Sequence, residues 1–250
     1  LRTLLRGMPS EIEVVNLVAH DRSSTDEHRR NGYSTIRVAN YGSIASVALS
    51  PSMSAVARRL HRQYGFDLVH LHFPDPLGHL TALALPRSVR RVISWHSDIV
   101  KQQWALSLYS PFLRSFVRDA DALIGATPQH FSTSLQIPVG KPGQIREVIP
   151  YGFDPAVLGP SDDSRRKLDE LLTARQGRPV IFALGRHVYY KGFDVLIRAM
   201  KNVDASLWIG GRGPLTASLT QLAVDLGLAD RVKFVGFIPD HLLSAYYEAC

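Results

Sequence analysis

Residues 185 to 194, Gly185-Arg186-His187-Val188-Tyr189-Tyr190-Lys191-Gly192-Phe193-Asp194, set an arginine and a lysine between two glycines. The apolar stretch Pro179 to Leu184 precedes them, and the helix-like Val195 to Met200 follows. That order reads as strand, tight turn and helix. In a parallel sheet such a turn opens at the carboxyl edge, where ligands bind. A helix N-terminus there adds unpaired N–H groups and partial positive charge. Two cations delivered to that point make an anion site suited to a diphosphate. Alone, the run reads equally well as a surface turn with ordinary turn glycines.

Two segments extend the pattern. Ala205 to Ile209 reads as a strand ending in Gly210-Gly211-Arg212-Gly213-Pro214, and Arg231 to Asp240 reads as another strand and turn. Gly211, Arg212 and Gly213 would let backbone approach a ligand closely, or simply form a helix-entry turn. Upstream, His96 lies just beyond the strand-like Arg91 to Trp95. It is open to a catalytic reading or to that of a core histidine with a backbone partner. Asp98 suits the cap of a following helix. His70 and His72 alternate with Val69 and Leu71, which puts both on one strand face. With no Cys or carboxylate at ligand spacing, they do not read as a zinc site.

These segments resemble the GT4 family of retaining glycosyltransferases, which have the GT-B fold. The match runs through Asp67-Leu68-Val69-His70-Leu71-His72, Ser94-Trp95-His96-Ser97-Asp98 and Ile149-Pro150-Tyr151-Gly152-Phe153-Asp154. It continues through Gly185-Arg186 with Lys191-Gly192, Gly211-Arg212-Gly213-Pro214, and Val232-Lys233-Phe234-Val235-Gly236. The resemblance implies an α/β protein of two Rossmann-like parallel-sheet domains facing a cleft. It implies an acceptor domain over 1–155 and a nucleotide-sugar donor domain over 156–250. His96 would approach the donor sugar. Arg186 and Lys191 would bind its diphosphate, with Gly185, Gly211, Arg212 and Gly213 around it. Phe237 and Ile238 would lie at the nucleobase. The resemblance further implies transfer of a sugar from a nucleotide-diphosphate donor to a glycan or lipid-linked acceptor, with neither cofactor nor metal. Within the family the chain resembles bacterial enzymes that move mannose or a related sugar in polysaccharide assembly, with GDP-mannose as the implied donor. The alternatives are a nucleotide-sugar epimerase of the same fold, and a non-catalytic fragment that only binds nucleotide or membrane.

Composition sets outer bounds. Among 250 residues, 45% are hydrophobic and 20% charged, ordinary for a globular protein. No apolar run approaches the roughly 20 residues of a bilayer span, and residues 1–7 lack a signal-peptide apolar region. A single cysteine, Cys250, excludes internal disulfides and fits a reducing cytoplasm. The net charge of +7 favours anionic partners. Nucleic acid is not among them, since no zinc-finger, RNP or helix-turn-helix signature occurs. Trp104 to Arg118 mixes aromatics with arginines, as a core-facing helix would or as one making peripheral membrane contact would.

The first half alternates strand and helix patterns: strands at Glu13 to Ala19, Thr35 to Ala39, Leu68 to His72, Arg91 to Trp95, Ala122 to Ala126 and Glu147 to Ile149. Helical spacing falls at Ser54 to Arg62 and Leu77 to Leu85. Short apolar strands separated by helices predict parallel sheet covered on both faces. Pro155 to Ser164 predicts the linker. The resemblance places one more strand and a glycine-rich loop before residue 1, and an E-x7-E motif beyond Cys250. On that pattern both ends are truncated.

Overall fold

The computed structural model describes residues 5, 7–30, 33–44, 47–100, 103–152, 155, 159–175 and 177–250, without the side chains of 29, 30 and 103–105. Phe153, Asp154, part of the expected linker, and the Trp104 side chain therefore lie outside the described residues. The chain divides into two compact units, 1–153 and 154–250.

The first unit holds a sheet of β1 (Val15–Ala19), β2 (Asp26–Arg30) and β3 (Tyr33–Val38), in the order β1-β3-β2. β1 and β3 are parallel, whereas β2 returns antiparallel to β3. A ribbon of β4 (Ser43–Ile44) and β5 (Val47–Ala48) follows. Neither β2 nor the ribbon is expected from the sequence. β2 reads Asp-Glu-His-Arg-Arg, with no apolar alternation, because it is an edge strand, and charge on an edge discourages pairing with other chains.

β6 (Leu68–Phe73), β7 (Arg90–Trp95), β8 (Ala122–Gly125) and β9 (Ile145–Val148) form a four-stranded parallel sheet in sequence order. Its core gathers Phe73, Ile93, Trp95, Leu113, Phe116 and Leu123, all at most 4% exposed. Burying each large side chain contributes about 1.5–3 kcal/mol. Local signals set the helices between. Gly65, in the left-handed conformation at φ 65°, closes the Met53–Tyr64 helix. Asp75 accepts from the Leu77 amide and Pro76 opens the Pro76–Leu83 helix. The Gln103–Asp119 helix turns Leu113, Phe116 and Val117 into the core and leaves Leu108 and Phe112 exposed.

The second unit is a parallel sheet of β10 (Val180–Leu184), β11 (Ser206–Gly210) and β12 (Val232–Gly236) in that order. A capping box of Ser161 and Ser164 starts its Asp162–Ala174 helix. That helix shares a core with Trp208 and Tyr246, while Ile197, Met200 and Leu207 fill the core on the Phe193–Ala199 helix.

Candidate functional site

Arg186, Lys191 and Arg212 all follow the carboxyl ends of β10 and β11, and all three are exposed. Among the described residues none of the three side chains meets a carboxylate; Lys191 Nζ lies 5.6 Å from the centre of the Tyr190 ring. Lys191 also runs beside Gly185, where a Cβ would sit 4.0 Å from its Cδ. Arg212 lies over Gly236, its Nε and Nη2 each 3.8 Å from where a Cβ would be. Phe237, next in sequence, is 70% exposed, whereas Ile238 is buried with Trp208 and Tyr246. Of the two residues expected at a nucleobase, only Phe237 offers a side chain to a ligand.

The loops after β10 and β11 are locked together by backbone. Gly185 N–H donates to the Gly210 carbonyl at 3.1 Å, Gly211 N–H to Gly236 at 2.7 Å, and His187 N–H to Arg212 at 3.1 Å. Gly211 has φ +108°, and a Cβ there would overlap the Gly185 carbonyl, 2.9 Å from its carbon. A Cβ on Gly213 would overlap His187 backbone in the same way, 2.7 Å from its nitrogen. These two glycines are therefore needed for one loop to pack on another, whether or not a ligand comes close. His187, fully buried, lies edge-on to Phe193 and Phe234, and its Nδ1 pairs with the Thr216 hydroxyl at 2.8 Å.

This packing takes up most backbone amides of the turn, whereas those of Phe193, Asp194 and Val195, at the start of the following helix, have no partner among the described residues. The N–H groups of Gly185, His187, Val188, Lys191 and Gly192 all donate to backbone carbonyls, and those of Gly211 and Gly213 are also engaged. The turn enters a 3-10 segment, Tyr189–Lys191, before Gly192 at φ 63° leads into a helix of only seven residues, Phe193–Ala199.

In the first unit, strand register assembles a second cluster. His72 faces Ser94 across β6 and β7, and the His96 amide donates to the Phe73 carbonyl at 2.9 Å. His70, His72, His96 and Tyr151 then stack in sequence, with ring centres 4.8, 5.1 and 5.7 Å apart. His72 Nδ1 lies 2.9 Å from His96 Nε2, and His96 Nδ1 lies 2.6 Å from the Tyr151 hydroxyl. Burial, reinforced by the neighbouring His70 and His96, lowers the His72 pKa to about 4. Burial first, then His130, lowers that of His96; burial, then His96, lowers that of His70. The imidazoles are accordingly neutral near pH 7. Asp98, expected as a helix cap, accepts from Trp95 Nε1 at 3.0 Å and the Ser134 hydroxyl at 2.6 Å, and caps no helix among the described residues.

Beside His96, at the carboxyl edges of β7 and β8, a pocket of about 350 Å³ is lined by Trp95, Asp98, Thr127, Gln129, His130 and Ser134. Among the described residues no three His, Cys, Asp or Glu side chains are placed to hold a metal ion. No described helix is long and apolar enough to cross a membrane. Sequence reasoning placed His70 and His72 on one face but missed Tyr151 and His130 as partners of His96. Nothing in local spacing joins residues 96 and 151.

Residues 1–152 match the model of the glycosyl transferase 4-like domain. The chain belongs to that glycosyltransferase family. Residues 164–250 match a second model, glycosyl transferases group 1. A D-rhamnosyltransferase, WbpZ, of Pseudomonas aeruginosa is 33% identical over 79% of this chain and 50% of its own length. The O-antigen chain mannosyltransferase C of Escherichia coli is 27% identical over 87% of this chain and 57% of its own. The GDP-mannose-dependent alpha-(1-6)-phosphatidylinositol monomannoside mannosyltransferase of Mycolicibacterium smegmatis is 31% identical over 79% and 52%. The chain thus spans about half the length of the curated relatives it matches. Among solved structures, Anabaena HepE in complex with UDP-glucose superposes with a TM-score of 0.63 at 20% identity, over 88% of this chain and 59% of that one. The fold is the mixed α/β GT-B type.

Proposed function

We propose that the protein containing this chain transfers a sugar, mannose or a closely related hexose, from a nucleoside-diphosphate donor to a glycan or lipid-linked acceptor. The observation that carries this reading is the set of exposed cations, Arg186, Lys191 and Arg212, held on two interlocked loops at the carboxyl edge of the second unit's sheet. As the bond between sugar and diphosphate breaks, charge accumulates on the leaving group. Fixed cations therefore stabilise the transition state more than the bound donor. In this reading the diphosphate is neutralised by side chains, without a metal. Phe237 stacks on the base, and Gly185, Gly211 and Gly213 hold the cations in place.

His96, neutral and immobilised, contacts the donor sugar, and the acceptor binds the first unit. The names of the relatives from Escherichia coli and Mycolicibacterium smegmatis support mannose, and the latter supports GDP as the carrier. The named chemistries also fit a cytoplasmic enzyme; peripheral membrane contact would use the exposed Leu108 and Phe112.

The test is transfer from GDP-mannose by the complete gene product, with and without acceptor, compared with Arg186→Ala. The expected result is acceptor-dependent transfer that falls about 10²–10³-fold in the variant. Transfer by Arg186→Ala at the parental rate would refute the assignment. Isomerisation of the donor sugar with no acceptor present would replace it with an epimerase.

A further inference from the structure

We propose that Tyr151 and His72 are positioning residues for His96: Tyr151 holds it in a single tautomer, with its proton on Nε2, and His72 accepts that proton. The inference rests on the role given to His96 above and assigns how that role is maintained.

His96 is held at four points. Its backbone amide donates to the Phe73 carbonyl at 2.9 Å. Its carbonyl is 3.2 Å from His130 Nε2. His130 Nδ1 accepts from the Thr127 amide at 3.2 Å, so the His130 proton sits on Nε2 and donates to His96. Both ring nitrogens of His96 are then occupied, Nδ1 by Tyr151 and Nε2 by His72. The His96 and His72 rings are stacked within 4° of parallel. A histidine that merely fills space needs no such fixation, and a half-buried ring is otherwise free to flip.

The direction of the chain follows from the chemistry of its ends. A phenol is a better donor than acceptor, and among the described residues no other group bonds the Tyr151 hydroxyl. Tyr151 O–H therefore donates to His96 Nδ1. The His96 proton must then reside on Nε2 and donate to His72 Nδ1, which puts the His72 proton on its own Nε2. Every group stays neutral and every proton is accounted for. Tyr151 comes from the segment after β9 and His72 from β6, so elements far apart in the chain fix one ring.

Histidine-selective nitrogen-15 NMR of the chain at neutral pH tests this without substrate. The expected spectrum shows His96 with a protonated Nε2 and a bare Nδ1, and a mixture of tautomers in Tyr151→Phe. His72→Asn, whose carbonyl can accept where Nδ1 did, should keep the Nε2 proton hydrogen-bonded, and His72→Ala should leave it on Nε2 under Tyr151 but exchanging freely with solvent. In the complete enzyme, Tyr151→Phe should lower kcat about tenfold to a hundredfold through misorientation, with the donor KM within about twofold. A wild-type His96 protonated on Nδ1 would overturn the inference. So would a tautomer or kcat indifferent to Tyr151→Phe, or His72→Asn behaving as His72→Ala. A fixed tautomer in a protein with no transferase activity would support the positioning and refute the transferase reading alone.

Discussion

Gly211→Ala should damage the second unit far more than a single added methyl suggests. Position 211 has φ +108°, a conformation that costs an ordinary residue about 1–3 kcal/mol. The new Cβ would also overlap the Gly185 carbonyl, which is backbone and cannot rotate aside. Overpacking of that kind costs about another 1–3 kcal/mol. The sum, about 2–6 kcal/mol, is a large share of a domain's stability of about 5–15 kcal/mol. Two controls separate the contributions. Gly236→Ala shares the positive φ, 75°, but its Cβ would meet only Arg212 at 3.8 Å, so strain of about 1–2 kcal/mol is expected. Gly185→Ala has no positive φ and meets Phe193 at 3.5 Å, so it should lie within about 1 kcal/mol of wild type. Hydrogen exchange of β11 peptides in a urea series reads the opening of this unit directly. With about 1.4 kcal/mol per decade, an excess of 2 kcal/mol raises the open population more than tenfold. A Gly211→Ala protein as protected as Gly236→Ala would refute the interlocked loops.

Three further outcomes are expected. Arg212→Ala should weaken binding of a nucleoside diphosphate about tenfold to a hundredfold, the worth of a charge-assisted hydrogen bond, by calorimetry. Its stability should stay within about 0.5 kcal/mol of wild type, because the side chain is exposed. Phe237→Ala should cost about 1–3 kcal/mol of nucleotide affinity if the ring stacks on a base, and far less affinity for inorganic diphosphate, which has none. On acidification, stability should fall between pH 6.5 and about 4. Burial lowers both His72 and His79 to about 4, so over that window the unfolded chain binds protons that the folded chain refuses. His79→Phe should flatten this decline in urea midpoints taken from neutral pH downward; an unchanged profile would mean that His79 does not contribute to it.

Much of the fold was legible because buried parallel strands leave dense apolar runs. Leu207 to Ile209 in β11 and Ile93 to Trp95 in β7 are visible for that reason. β2 was not legible, since an edge strand of charged residues carries no burial signal. In the site, the glycine and basic pattern located Arg186, Lys191 and Arg212 in sequence, but the loop contact that Gly211 and Gly213 serve was not legible. Their need for a missing Cβ arises from contacts with Gly185 and His187, more than twenty residues away in sequence. Local spacing holds no trace of that. The pairing of His96 with Tyr151 was invisible for the same reason: it depends on β-sheet order and a loop 55 residues on.

The neutral histidine stack also sorts ligands. Imidazoles that stay uncharged at pH 7 offer a nucleoside diphosphate no charge at that edge of the β6–β9 sheet, whereas hydroxyl groups lose little by its absence. Free cations stand instead on the loops of the second unit. On the proposed transferase reading, a spent nucleotide is retained at those cations, and its product inhibition should compete with donor and leave acceptor binding untouched.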